Sequence, residues 1–414
     1  MLSIYKIIIN IIFFFAPIIL RIRVLKNKEH KTRFKEKLCY FTKSKPSGKL
    51  IWFHASSVGE VLSIIPLIEK IEKLKSIKTI LVTSNTLSSS KVILKKNLKK
   101  TIHQFFPVDT NNLSKKFLNH WKPDLAIFVE SEIWPNFINN IKFLNIPLIL
   151  LNGRFTKKTF YNWKKIPTLA KDLFKSFNLC FAQNSESKKF LNYFGVKKVK
   201  NYGNLKYSQS SLENKNKKLF KVFNRKKIWC ASSTHLNEEE ICGKIHLKLK
   251  NKIKNLITII IPRHVDRTEA IEKELNSINL KVQLHSKSKK ISTSTDIYLV
   301  DTFGETNFFY NLSPIVFVGK SFNFHGGKSG QNPIEAARYG CKIFHGPNVK
   351  NFYEVYKFLE KIKITKKIYN QEELYKNLIK NIYLNTHKEK NKKILKSKGS
   401  QILNETFNEI SNYL

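Results

Sequence analysis

The sequence predicts an α/β protein: two doubly wound, Rossmann-like domains facing each other across a cleft, with an N-terminal membrane-anchor helix. Three observations lead there. Short apolar runs alternate with amphipathic helical stretches, the alternation halts at a polar, basic segment and then restarts, and residues 4–20 are apolar except for Lys6 and Asn10. Strands alternating with helices of this kind build a parallel sheet. A chain of 414 residues is too long for one ordinary core and suits about two domains.

The first unit opens at Ile51, Trp52 and Phe53, an apolar run that stops abruptly at the small, polar and acidic residues His54 to Glu60. A helical pattern resumes at Val61, Leu62, Ile64, Ile65, Leu67 and Ile68, so the whole reads as β-turn-α. Strand-like runs recur at residues 79–83, 102–106, 125–129, 148–151 and 179–182. Residues 208–227 turn polar and basic and are taken as the linker. A second series follows at 228–231, 256–261, 281–284, 297–300, 315–318 and 342–344. The partition is therefore an anchor over 1–24, a first domain over 25–207, a second over 228–370, and C-terminal helices over 371–414.

Behind the apolar stretch come Arg21, Arg23, Lys26, Lys28, Lys31, Arg33, Lys35 and Lys37. A single anchor with a basic cluster on its downstream side keeps the remainder cytoplasmic. The stretch is slightly short of the usual ~20 residues, so lying in the interface is the alternative to crossing. A cleaved signal peptide fits poorly, because no small-residue cleavage site follows and the charge lies on the wrong side. With 75 Lys and Arg against 30 Asp and Glu, the formal charge is +45 and calls for an anionic partner, although abundant Lys, Asn and Ile also fit an AT-rich coding bias. Nucleic acid is not that partner: the lysines are spread over the whole chain without interleaved aromatic residues. Five scattered cysteines, never in C-x-x-C, argue against a disulfide framework and against zinc.

The chemistry-bearing residues sit at strand ends, where open α/β sheets bind ligands. Glu60 lies at a helix start, able either to cap that helix or to accept a proton from a hydroxyl. Glu130, Ser131, Glu132, Ile133, Trp134, Pro135 and Asn136 place two carboxylates and an amide past another strand, and Asn152, Gly153 and Arg154 close a third. In the second half, Ser232, Ser233, Thr234 and His235 precede a helix whose Asn237 and Glu240 have capping-box spacing. Arg263 ends a strand, placed for a phosphate or for a surface salt bridge. Gly319, Lys320 and Ser321 open a glycine-rich loop that runs through Gly326, Gly327 and Gly330 to a helix start near Asn332, where backbone N–H groups would cradle a phosphate and Glu335 would hold ribose hydroxyls. The G-K-S triplets at 319 and 327 lack the earlier glycine of a phosphate-binding P-loop. No H-E-x-x-H, G-x-S-x-G or D-x-D is present.

Nine segments, in order along the chain, resemble the 3-deoxy-D-manno-octulosonic acid (Kdo) transferases of lipopolysaccharide assembly. They are His54–Glu60, Glu130–Asn136, Asn152–Arg154, Gly203–Lys206, Ser232–His235, Pro262–His264, Asp301–Glu305, Gln331–Glu335 and Gly346–Phe352. The resemblance implies a GT-B fold, and inverting, metal-independent transfer of Kdo from CMP-Kdo to a lipid A precursor (lipid IVA) at the cytoplasmic face of the inner membrane, with no cofactor. It implies Glu60 as general base, with Glu130 or Glu132 assisting. Ser56, Ser57, Asn136 and Arg154 would meet the acceptor in the first domain. Lys206, Ser233, Thr234, Arg263, Gly319, Lys320, Ser321, Asn332 and Glu335 would meet the donor. Lys320 stands where the family pattern leads one to expect a second glycine, and the stretch from Gly326 to Asn332 carries a short insertion. Another GT-B enzyme using a different nucleotide sugar is the alternative.

Overall fold

The structure is a computed structural model and describes residues 2–209, 221–223, 226–287, 291–322, 330–383 and 388–414. It divides into two compact units, Met1–Gln209 with Lys398–Leu414, and Ser210–Ser397. The expected linker over 208–227 lies largely outside the described residues.

The first unit is one parallel sheet of β1 (Lys49–His54), β2 (Ile77–Ser84), β3 (Thr101–Phe105), β4 (Leu125–Val129), β5 (Leu148–Gly153), β6 (Leu179–Ala182) and β7 (Val199–Lys200). Their order is β3-β2-β1-β4-β5-β6-β7. The chain winds outward from β1 and then returns to start again on its other side at β4, so the order reverses between these two neighbours. Their ends are in register, His54 opposite Phe128, so the loops leaving the two strands start side by side. Helices cover both faces, which is why the strands are apolar without alternation. Leu50, Ile51, Trp52 and Phe53 on β1 and all of β4 are fully buried. Trp52 packs its ring against Phe117, Phe128 and Phe137 at 4.8, 5.2 and 5.5 Å between centroids.

The second unit repeats the scheme with β8 (Lys227–Thr234), β9 (Leu256–Pro262), β10 (Val282–Leu284), β11 (Ile297–Leu299), β12 (Ile315–Val318), β13 (Lys342–His345) and β14 (Thr365–Lys367). The order β10-β11-β9-β8-β12-β13-β14 reverses between β8 and β12. All twelve runs read as strands are strands. The two that escaped, β7 and β14, are edge strands of two and three residues, too short and polar to show a period.

Two features differ from expectation. The C-terminal helices are not one segment: the helix Lys388–Ser411 leaves the second unit and ends in the first. There Glu409 accepts from Lys198 at 2.7 Å, Lys200 at 2.9 Å and Tyr202 at 2.9 Å, and a Cβ on Gly399 would lie 2.3 Å from the Tyr207 carbonyl. The basic cluster behind the N-terminal helix Leu2–Leu25 is also partly neutralised. Arg23 and Lys37 both hold Glu29 at 2.8 Å, and Arg33 holds Glu36 at 2.8 Å. Both carboxylates are buried, and Glu36 also accepts from the Phe105 N–H at 2.9 Å, fixing this segment to β3.

Candidate active site

Glu60 stands in the first turn of the helix Val58–Ile71, directly after β1. Ser57 is the N-cap: its hydroxyl accepts the Glu60 N–H at 3.3 Å and donates to Glu60 Oε1 at 2.8 Å. The Ser56 N–H donates to Oε2 at 2.7 Å. Glu60 therefore does cap the helix, but its electrostatics exceed that role. Burial, then the charges of Glu130 and Glu132, push its pKa up from 4.5 to about 7, against the pull of the Ser57 and Ser56 hydrogen bonds. A carboxylate poised near neutrality, and only 9% exposed, has the proton affinity a general base needs.

The reversal of sheet order brings the β4 loop to it. Glu132 Oε2 lies 3.1 Å from His54 Nε2 and accepts from Trp134 Nε1 at 2.9 Å. His54, the last residue of β1, is fully buried, with its ring stacked on Phe106 at 3.8 Å. Its Nδ1 is 3.0 Å from Thr83 Oγ1, which accepts from Trp52 Nε1 at 2.9 Å. The Thr83 hydroxyl donates to the Phe53 carbonyl at 3.3 Å and so meets Nδ1 as an acceptor, and Trp134 Nε1 also lies 3.1 Å from His54 Nε2, which joins His54, Trp134 and Glu132 in one polar cluster. Four side chains from β1, β2 and the β4 loop thus fix one carboxylate. Trp52 and His54 lie two residues apart on one face of the strand, and that spacing was the signal in the sequence that could have marked His54.

Glu130 has φ +58°, a left-handed conformation that turns the chain sharply off β4. Its Oε1 pairs with Lys206 Nζ at 2.5 Å and lies 3.4 Å from Asn152 Nδ2. Asn152, itself at φ +55°, accepts the Leu205 N–H at 3.0 Å and so ties the N-G-R and G-N-L-K segments together. Lys206, expected on the donor, is in the first unit on Glu130. Ser57 is exposed and Ser56 half-buried, with Ser56 Oγ accepting from Asn85 at 2.7 Å. Arg154 closes the β4 loop through its carbonyl, which accepts from Ser131 Oγ at 2.6 Å. Asn136 does not face this site: it is fully buried and its Nδ2 donates to the Asp109 carbonyl at 2.5 Å. The Asp109 carboxylate in turn accepts the N–H groups of Asn136 and Phe137 at 3.1 and 2.9 Å, capping the helix Pro135–Phe143.

In the second unit the ends of β9, β8 and β12 carry the other expected residues side by side. Arg263 is exposed, and among the described residues its guanidinium has no partner; its N–H donates to the Thr234 carbonyl at 3.1 Å. Ser233 adopts φ +57°, and the buried Thr234 Oγ1 makes no hydrogen bond with any described residue. His235 is pushed down to about 4, chiefly by burial, and is neutral at physiological pH.

The glycine loop corrects two expectations. The N–H groups of Lys320 and Ser321 are not open to a phosphate: they donate to the Glu238 carboxylate at 2.7 and 3.1 Å. The same carboxylate takes the N–H of His235 at 3.0 Å and that of Phe322 at 3.4 Å. Ser321 is fully buried, its hydroxyl spent on the Val318 carbonyl at 2.6 Å and the Gly346 N–H at 2.9 Å, which removes it from the surface a donor could reach. The expected capping box of Asn237 and Glu240 is also absent. Asn237 is left-handed and makes no side-chain cap, and Glu240 pairs with Lys244 at 2.6 Å, so Glu238 is the carboxylate that ties the helix start to both loops. The fit is tight: a Cβ on Gly319 would lie 2.6 Å from Glu238 Oε2 and 2.7 Å from the Ser233 carbonyl. Lys320 has φ +54°, the left-handed region that favours glycine, at the position where the family pattern has one. Asn332 Oδ1 accepts the Ile334 N–H at 3.1 Å and starts a helix of only five residues, Ile334–Arg338, in which Glu335 is half-exposed. Gly326 and Gly327 lie outside the described residues. Among the described residues no group of three or more His, Cys, Asp or Glu is placed to hold a metal ion.

Residues 32–209 match the family described as 3-Deoxy-D-manno-octulosonic-acid transferase (kdotransferase). A 3-deoxy-D-manno-octulosonic acid transferase of Rickettsia bellii is 32% identical over 360 residues, 86% of this chain and 85% of that protein. The chain belongs to the Kdo transferase family. A probable mitochondrial Kdo transferase of Arabidopsis thaliana is 34% identical over 82% of this chain and 78% of its own length. The matched span contains Glu60, His54 and the whole β4 loop. Among solved structures, the UDP-GlcNAc 2-epimerase of Neisseria meningitidis covers 87% of this chain and all of its own at a TM-score of 0.61 and 14% identity. That likeness is one of fold alone and makes the two parallel-sheet units GT-B-like; that the chain is a glycosyltransferase follows from its family.

Proposed function

We propose that this glycosyltransferase transfers Kdo from CMP-Kdo to a lipid A precursor, with inversion and without a metal, and that Glu60 is its general base. The observation that carries the reading is the buried Glu60 carboxylate, raised to about 7 by burial and by its neighbours Glu130 and Glu132, in a chain of the Kdo transferase family. The acceptor hydroxyl oxygen attacks the anomeric carbon of Kdo, and the new C–O bond forms as the bond to the CMP phosphate breaks. The hydroxyl proton passes to Glu60. The leaving group departs as a phosphate monoester and needs little acid help. Lys206 holds Glu130, while His54 and Trp134 hold Glu132, so two fixed negative charges sustain the basicity of Glu60 and offer acceptors to the sugar. Ser56, Ser57 and Arg154 complete the acceptor side.

In the second unit Arg263 binds the CMP phosphate, with Ser233, Thr234, Asn332, Glu335 and the Gly319–Lys320 turn around the nucleotide. Arg263→Ala is expected to weaken CMP binding by roughly 1.5–3 kcal/mol, the worth of a charge-assisted hydrogen bond. Unchanged affinity in a calorimetric titration would place the guanidinium elsewhere. The N-terminal helix and the basic residues behind it put the enzyme on the anionic inner surface of the inner membrane.

Incubating the purified full chain with lipid IVA and either CMP-Kdo or uridine diphosphate sugars tests the reading. CMP release coupled to a Kdo-sized mass gain on the acceptor is the expected result. Product from a uridine diphosphate sugar and none from CMP-Kdo would replace it with the other nucleotide-sugar enzyme.

A further inference from the structure

The helix Leu2–Leu25 is long enough to cross a bilayer: at ~1.5 Å per residue its 24 residues span about 36 Å, against a hydrocarbon core of ~30 Å. Its contacts are those of a different arrangement. One stripe of the helix touches the first unit along its whole length. Leu2 and Phe13 pack against the core, and Ala16 and Leu20 are buried. Near the N-terminal end, Tyr5 Oη donates to Asp109 Oδ2 at 2.7 Å. At the other end, Arg23 reaches Glu29 at 2.8 Å, in the segment fixed to β3. The opposite stripe is open and apolar: Ile4, Ile7, Ile8, Ile11, Phe14, Phe15, Ile18, Ile22 and Leu25 are each about half exposed or more. The two stripes alternate with helical spacing, so the helix has a protein face and a second apolar face that no described residue covers.

A segment that crosses the bilayer cannot keep these contacts, because the surface it lies on would have to enter the hydrocarbon with it. That surface includes the Asp109 carboxylate, and charged groups are excluded from the bilayer centre. We propose that the helix lies in the plane of an anionic lipid surface, seated on the first unit by one face and inserted in the lipid by the other, with both its ends on the side of the catalytic residues. The exposed Arg21, Lys26, Lys28, Lys31 and Lys35 at and after its C-terminal end match the negative headgroups. The inference rests on the lipid-surface location proposed above and changes its topology from crossing to in-plane. It also gives the location a purpose. Asp109, bonded to Tyr5, caps the helix that follows Glu130, Glu132 and Trp134, so the lipid surface is built beside the turn that meets a lipid acceptor.

All five native cysteines are buried, which leaves the protein silent to a membrane-impermeant maleimide and allows a single introduced thiol to report its side. Ser3→Cys at the N-terminal end and Ser44→Cys on the catalytic unit, both at exposed positions, are compared in intact spheroplasts and in inverted inner-membrane vesicles. The expected result is that both label to the same extent in inverted vesicles and neither labels in spheroplasts. Labelling of the Ser3→Cys variant from outside the spheroplasts, or less labelling than the Ser44→Cys control in inverted vesicles, overturns the in-plane arrangement and leaves the catalytic reading standing. Recovery of the full chain in the soluble fraction overturns it together with the proposed membrane location.

Discussion

Replacing Glu60 with Gln is expected to lower Kdo transfer at least about a hundredfold, the usual worth of a general base, while making the folded protein more stable above neutral pH. Gln keeps the shape of the side chain and can still accept the Ser56 N–H, so the cap at the start of Val58–Ile71 survives. What it removes is the charge. Glu60 has an ordinary carboxyl pKa of 4.5 when unfolded and about 7 when folded. Below the lower value both states hold the proton and the buried carboxyl is neutral; between 4.5 and about 7 only the unfolded state ionises, so the stability present in acid is lost progressively and is gone once the pH has risen through about 7. The rise from 4.5 to about 7 corresponds to at most about 3 kcal/mol. Urea melts at about pH 5 and about pH 8 should show the variant gaining on the wild type by up to that amount at the higher pH. Turnover close to wild type would leave Glu60 as a helix cap only.

Glu238→Ala should have the largest effect in the second unit. The Glu238 carboxylate accepts four backbone N–H groups on two loops, that of His235 three residues before it and those of Lys320, Ser321 and Phe322, which are 82, 83 and 84 residues after it. Removing it leaves those donors without an acceptor, at about 1–3 kcal/mol for each one that water cannot reach. A loss of at least ~3 kcal/mol in a urea titration is expected, together with weaker CMP binding as the left-handed turns at Ser233 and Lys320 lose their common anchor. Glu238→Gln, which retains acceptor oxygen for part of the set, should fall between. A melting midpoint and a CMP affinity both unchanged in Glu238→Ala would show that the loops hold themselves.

The strands were legible because each is a buried apolar run bounded by a break: residues 125–129, 179–182 and 315–318 end where the runs end. Glu60 was legible for the same reason, as an acid where an apolar strand stops. Its pKa was not, because it depends on Glu130 and Glu132, some 70 residues later, and on the sheet order that sets β4 beside β1. The second unit shows the opposite failure. Gly319, Lys320 and Ser321 look like a phosphate cradle from their own sequence, and only the fold shows that Glu238 already fills the place of the anion. Asn136 misleads in the same way: beside two site carboxylates in the chain, it turns inward to Asp109 because the helix Pro135–Phe143 starts there. Local pattern located the strand ends; which groups at those ends are free and which are consumed is a long-range property.

The pH dependence of kcat/KM for Kdo transfer by the wild-type protein, which reports titration of the free enzyme, tests the central assignment most directly. With Glu60 as the base and its carboxyl titrating at about 7, kcat/KM should climb close to tenfold per pH unit on the acid side and level off above neutrality. A kcat/KM that stays unchanged from about pH 5.5 to about pH 8 would contradict a base of that pKa.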